Sequence, residues 1–313
     1  MNYNLIFILL ILLATIIIFL IIIKNKKSTQ IISMPTFADK KFPGFNKKLK
    51  DFERAMAQWY PLGIDSFKID HGPDYCLFFR RLGGERFVVS QKNNKIVGTL
   101  CAIERRIMMG KNSQKGFWYL CDLKVDPRYR RQGIASDMLL KMSKIIRTTD
   151  GIYAISMNNG KKNTLFYLLE KMSKNFYNTK MSKDFYNTID LFIYSLDFKT
   201  MIRILPIIHK YRGDIWFVNM QKLKDLRLKS TNSSMKLLHM QWENNCLYDL
   251  EANTKTPKIS YPQENFTHMF CCPKNDPLHK ALTLHGIETS IGATILSHNM
   301  KGYDWSFIQT CDI

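Results

Sequence analysis

The chain has 313 residues, 46% of them apolar, and its 46 Lys and Arg against 26 Asp and Glu leave a net charge of +20. That apolar share excludes wholesale disorder and supplies one large core or two modest ones. The positive balance invites anionic surfaces, but no nucleic-acid-binding motif occurs, so nucleic acid is not expected as a partner.

Residues 5–23, LIFILLILLATIIIFLIII, are apolar except for Thr15. Nineteen residues at about 1.5 Å each reach roughly 28 Å, close to the thickness of a bilayer core. No charge precedes the run, whereas Lys24, Lys26 and Lys27 follow it. The pattern predicts a single transmembrane anchor over 1–24, with those lysines and the rest of the chain on the cytoplasmic side. Residues 25–47, basic and carrying Pro35, Pro43 and Gly44, read as a linker.

A helix is expected over 49–59, ending at Pro61. RFVVSQ and KIVGTLCAIE flank a short turn at Lys92–Asn94 and predict a hairpin. GFWYLCDLKV (116–125) is a third strand, ending at Asp126–Pro127. Beyond the basic loop, Ile134, Met138, Leu139, Met142, Ile145 and Ile146 recur at helical spacing, and Gly151 is expected to close that helix. IYAISM is the next strand, 163–172 a helix and 189–198 a strand. Strands alternating with helices predict an α/β or α+β layer domain. KMSKNFYNT (171–179) is followed at once by KMSKDFYNT (180–188), a tandem copy read as an insertion in a surface loop. The last 115 residues, 199–313, read as an α+β region. MIRILPIIHKYR is a helix, DIWFVNM, IGATILSHNM and YDWSFIQTCDI are strands, and a hairpin is expected about Lys301–Gly302.

Seven cysteines, an odd number without a CxxC pair, predict reduced thiols rather than a disulfide framework. His268, Cys271, Cys272, His279 and His285 lie near one another in sequence but lack the two tight pairs of a zinc site, so no metal is expected.

The stretch DPRYRRQGIASDMLL, 126–140, carries the chemistry. A helix N-terminus presents unpaired N–H groups and a partial positive charge to an anion. Gly133 lets a ligand approach the main chain, Ala135 keeps the next turn slim, and Arg128, Arg130 and Arg131 add charges suited to phosphate oxygens. Strand, basic turn, glycine and helix together describe a diphosphate cradle, without the GK[ST] of a Walker loop or a GxGxxG.

Arg130-x-x-Gly133-x-Ala135 resembles the acetyl-CoA signature of the GNAT superfamily of N-acetyltransferases, and DLKVDPRYRRQGIASDML is similar to that family's strand–loop–helix over about 18 positions. The resemblance spans roughly 64–198 and implies a mixed, splayed sheet flanked by helices, so that 48–198 would be the coenzyme-binding domain. It implies acetyl-CoA as cosubstrate, no metal, and a primary amine as acceptor. The amides of Arg131, Gln132, Gly133, Ile134 and Ala135 would hold the pyrophosphate, with Arg130 beside them. The backbone at Leu123 and Val125 would align the pantetheine arm, and Asn158 would touch the cofactor from the following strand. A lysine-like amine sheds its proton at pH 7 at a cost of about 4.6 kcal/mol, so a base is needed. The resemblance assigns that role to Asp122. It implies a tyrosine acid on the helix at 163–172, where Leu169 fills the family's slot and Tyr167, two positions earlier, is the candidate. Some members of the family carry a degenerate second copy of the fold; no second R-x-x-G-x-A occurs in 199–313, so any such copy there would not bind the cofactor in this way. Two other readings stay open. One is a non-catalytic acyl-CoA-binding or scaffold protein; the other is a basic protein bound to membrane surfaces or nucleic acid.

Overall fold

A computed structural model describes residues 30–34, 44–56, 59–62, 64–109, 113–146, 150–158, 187–244, 246–247 and 256–313. The apolar run at 5–23, the helix expected at 163–172 with Tyr167, and most of the tandem copy lie outside the described residues. Among the described residues, no helix is long and apolar enough to cross a membrane.

Strand β1 (Gln30–Met34) falls within the stretch read as a linker, and helix α1 (Phe45–Met56) begins there too. Phe45, Leu49, Phe52 and Met56 recur at intervals of four and three, which gives α1 a single buried face. β2 (Tyr60–Leu62), β3 (Asp65–Asp70) and a short helix α2 (Leu77–Arg80) follow. β4 (Gly84–Lys92) and β5 (Lys95–Met109) form the expected hairpin. Asn93 and Asn94 at its tip take φ of 51° and 59°, the left-handed pair that a two-residue hairpin turn requires and Asn tolerates. β6 (Ser113–Val125) leads through a 3₁₀ turn at Pro127–Tyr129 into α3 (Ile134–Ile145). Gly151 does not close that helix. It opens β7 (Gly151–Met157), where a Cβ would lie 2.4 Å from the Met300 side chain.

The C-terminal region supplies β8 (Asn187–Leu196), α4 (Phe198–Arg212), β9 (Ile215–Val218), β10 (Asp225–Leu228), β11 (Leu237–Trp242), β12 (Cys246–Leu247), β13 (Lys258–Ile259), β14 (Thr267–Pro273), α5 (Pro277–Leu284) and β15 (Ile291–His298). The ends of α4 and α5 follow from composition. Asp197 and Asp276 cap their first turns by accepting from Thr200 N and Leu278 N, and Gly213 terminates α4 at φ 68°.

One sheet runs β1-β4-β5-β6-β7-β15-β8-β14-β11-β9-β13, with β12 paired to β5. Only β6–β7 and β11–β14 are parallel among its described pairs. β15 lies between β7 and β8, so the sheet crosses the boundary expected at 198/199 without a break. β10, β3 and β2 form a small second sheet. Three apolar clusters hold the layers. The largest joins α1 and α2 to one sheet face, another sits beneath α4 and α5, and the third packs α3 on the opposite face of β4–β6.

Two expectations fail at the C-terminal end. YDWSFIQTCDI is not a strand, and no hairpin forms at Gly302. Residues 303–313 instead run through turns into a 3₁₀ segment at Thr310–Asp312 and bury Trp305, Phe307, Ile308 and Cys311 in the largest cluster. All seven cysteines are free thiols. Cys271 and Cys272, neighbours on β14, fall in different clusters because successive strand residues face opposite ways.

Candidate active site

β6 and β7 are paired over only four positions, from Phe117–Gly151 to Leu120–Ala154. Tyr119 and Tyr153 stack at the joined end, with ring centroids 4.9 Å apart. Beyond Leu120 the strands part: β6 continues to Val125 along β5, and β7 continues to Met157 along β15. The β6 edge from Cys121 to Val125 therefore faces a wedge without a strand partner among the described residues. A bulge sharpens the parting. Thr99 pairs with Lys124 and Cys101 with Cys121, so Leu100 opposes both Asp122 and Leu123, and Asp122 is forced to φ 55°.

The open edge feeds directly into the basic loop. Asp126 clamps that loop by accepting from Arg128 N at 2.9 Å and pairing with the Arg128 guanidinium at 2.6 Å. The charge of Arg128, expected to serve phosphate, is thus tied to the turn. Arg130 donates from Nε to the Val125 carbonyl at 3.1 Å. Arg131 and Gly133 take φ of 63° and 82°, and Gly133 is the α3 N-cap with no side-chain cap bond. The first-turn amides of Ile134 and Ala135 consequently point into space that no capping side chain fills. A Cβ at Gly133 would come no nearer to the rest of the chain than 3.9 Å, at Asp137 Oδ2. Uncapped amides, two left-handed residues and free space form a cradle that fits a diphosphate.

The expected contacts divide. Leu123 and Val125 pack with the α3 cluster and border the wedge. Arg130, Arg131, Gln132, Gly133, Ile134 and Ala135 are contiguous at the cradle. Asn158 does stand at the end of β7, but it is engaged by β15: its N–H donates to the Gly292 carbonyl at 2.9 Å and its Oδ1 accepts from Thr294 at 3.0 Å.

On the opposite face, Asp122 belongs to a buried polar network. Its carboxylate accepts from the Tyr75 hydroxyl at 2.6 Å and pairs with Lys124 Nζ at 2.6 Å, and its side chain is only 4% exposed. Lys124 also lies 3.7 Å from Glu53, whose other close partner is His71 Nδ1 at 2.5 Å. Burial pushes the Glu53 carboxyl up, but His71 and Lys124 outweigh it and hold the group below its ordinary value. Burial lowers Lys124, yet Asp122 and Glu53 outweigh it and keep the ammonium charged. Burial drives the His71 imidazole below its usual range despite Glu53, so the neutral ring donates to that carboxylate. Tyr75, buried beside Asp122, is raised and stays protonated.

Glu53, Tyr60 and Lys124 line a cavity of about 420 Å³ between α1, β3 and the turn before β10. Asp122 is not among the lining residues. Glu53, His71, Tyr75 and Lys124 escaped the sequence reading because they come from three separate segments: α1, the loop between β3 and α2, and β6. The one available signal was Glu53, a carboxylate on the polar edge of an amphipathic helix.

Residues 50–169 match the model of the acetyltransferase (GNAT) family. An uncharacterised protein of Acanthamoeba polyphaga mimivirus, L340, is 28% identical over 251 residues, which span 77% of this chain and 68% of that protein. Among solved structures, a putative acetyltransferase from Pyrococcus horikoshii covers 90% of this chain and 93% of its own at 11% identity and TM-score 0.42. Arabidopsis thaliana NAA60 in complex with acetyl-CoA covers 46% of this chain and 84% of its own at 16% identity and TM-score 0.31. An aminoglycoside acetyltransferase from an uncultured soil metagenomic sample covers 50% and 92% at 14% identity and TM-score 0.29. Over residues 50–169, then, the chain is similar to the acetyltransferase (GNAT) family.

Proposed function

We propose that the protein is an N-acetyltransferase that moves an acetyl group from acetyl-CoA to a primary amine in a ternary complex. One observation carries this reading. The unpaired edge of β6 leads on one side into the uncapped start of α3 and on the other presents Lys124 to a half-open cavity. The amides from Arg131 to Ala135 would hold the pyrophosphate, and the β6 edge at Cys121–Val125 would align the pantetheine arm as an added strand. Bound acetyl-CoA supplies the activated acyl group.

The chain's own residues must then take a proton from the amine. Asp122 is enclosed by Tyr75 and Lys124, whereas Glu53 borders the cavity and stays ionised at neutral pH. Glu53, though held by His71 and Lys124, is therefore the base that an acceptor in the cavity can reach, with Asp122 holding Lys124 in position. The apolar run at 5–23 and the lysines after it support a membrane anchor with this domain on the cytoplasmic side. Glycosylation of Asn232-Ser-Ser or Asn265-Phe-Thr in cells would overturn that orientation.

The enclosure of Asp122 favours a second reading, an acyl-CoA-binding protein without catalysis. Full-length protein, assayed for acetyl-CoA binding by calorimetry and for thiol release across a panel of amines, separates the two. Binding with thiol release that falls in Glu53→Gln supports the transferase; binding without release from any amine supports the binder. No binding at all removes both.

A further inference from the structure

The cavity beside Lys124 says more about the acceptor. Its wall carries six cationic and three carboxylate side chains, and all three carboxylates are engaged within the protein. Glu53 is taken by His71 and Lys124, Asp70 by Arg227 at 3.0 Å and by Gly72 N at 3.0 Å, and Asp225 by Lys222 N at 3.4 Å. Lys50, Lys68 and Lys222 have no carboxylate partner among the described residues. Lys50 reaches only the Pro73 carbonyl at 3.4 Å, and Lys68 lies over the Trp59 ring at 5.4 Å.

The Lys222 position is built rather than incidental. Gly72, at φ 64°, is pressed so closely against the Lys222 backbone that a Cβ there would lie 1.8 Å from the Lys222 carbonyl oxygen. Lys222 itself takes φ 68°. The turn before β10 is thereby pinned against the rim, with its lysine at the cavity wall.

We infer that the acceptor is a small amine that also carries an anionic group, a phosphate or a carboxylate, seated between Lys68 and Lys222. This rests on the proposed transferase reading and deepens it. A volume of about 420 Å³ suits a small molecule rather than a folded partner. The surplus of positive charge attracts the anionic end by complementarity and repels polycationic amines. The acceptor amine would then point toward Glu53 and Lys124, the one β6 residue in the cavity wall among the described residues.

The test uses full-length protein and matched probes. They are glucosamine 6-phosphate against glucosamine, glutamate against glutamine, and spermidine as the polycation. Binding is read by calorimetry, and acetyl transfer by thiol release. The phosphate or carboxylate member is expected to bind at least about tenfold tighter than its neutral partner, as charge-assisted contacts allow. The advantage should shrink with added salt and disappear in Lys68→Gln/Lys222→Asn. Asn tolerates the left-handed backbone at 222, so that variant folds, and unchanged binding of acetyl-CoA verifies it. Equal binding of the matched pairs, or tighter binding of spermidine, overturns the inference while leaving the transferase reading intact. An anionic amine that binds and loses affinity in the double variant, yet releases no thiol, upholds the inference about the cavity and sinks the transferase reading.

Discussion

Lys124 is the hinge of the polar network, and replacing it with methionine tests whether that network is real. The substitution keeps the aliphatic stem but removes an ammonium 2.6 Å from Asp122 and 3.7 Å from Glu53, side chains 4% and 13% exposed. Stranding a buried charge by removing its partner costs about 3–5 kcal/mol. Asp122 retains the Tyr75 hydroxyl and Glu53 retains His71, so the expected loss lies near the lower end, about 3 kcal/mol. Urea unfolding of wild type, Lys124→Met, Asp122→Asn and the double variant gives the coupling directly. A cycle energy of about 1.5–3 kcal/mol is expected for groups in one network. The pH dependence fixes the sign. Glu53 is held below its ordinary value near 4.5, so its share of stability is present above that value and disappears as pH falls through the folded-state value. The gap between wild type and Lys124→Met should therefore narrow below pH 5. A Lys124→Met protein within about 0.5 kcal/mol of wild type at pH 7 would refute the network, since that is the range of surface substitutions.

His239 predicts acid lability: burial near Lys224 and Arg81 drives its imidazole from 6.5 to about 3, so the folded state refuses a proton that the unfolded chain accepts. Stability should fall as pH drops below 6.5, by about 2 kcal/mol at pH 5 from this group alone, and His239→Gln should flatten that slope in denaturation curves. Gly133→Glu places a carboxylate in the cradle and should abolish calorimetric binding of acetyl-CoA. Gly133→Ala meets nothing closer than 3.9 Å and should cost only about 1 kcal/mol through its left-handed φ. Gly72→Ala and Gly213→Ala share positive φ, but only the first collides with backbone. The thermal midpoint should fall about twice as far or more for Gly72→Ala, as overpacking adds about 1–3 kcal/mol to the conformational cost.

What the sequence disclosed was local. The hairpin at Asn93–Asn94, the amphipathic α3 and the glycine before it each announce themselves within a dozen residues, through turn chemistry and periodicity. The cradle was legible for that reason. The polar network was not, because His71, Tyr75, Lys124 and Glu53 meet only after α1 packs across β5 and β6. Apolar alternation in YDWSFIQTCDI signalled burial correctly but not pairing: Trp305 and Phe307 enter the core from a turn. The position of β15 had no sequence signal either, since its apolar pattern fits any central slot in a sheet.

That position has a consequence for how the chain acquires its site. β7 is joined to β6 by four residue pairs, and its other edge is sealed only by β15, more than a hundred residues downstream. During synthesis the strand bordering the wedge must wait with one flank open until the ribosome has delivered residues 291–298. A nascent chain halted at residue 285 would expose β7 and β8 as two raw edges, a target for chaperones.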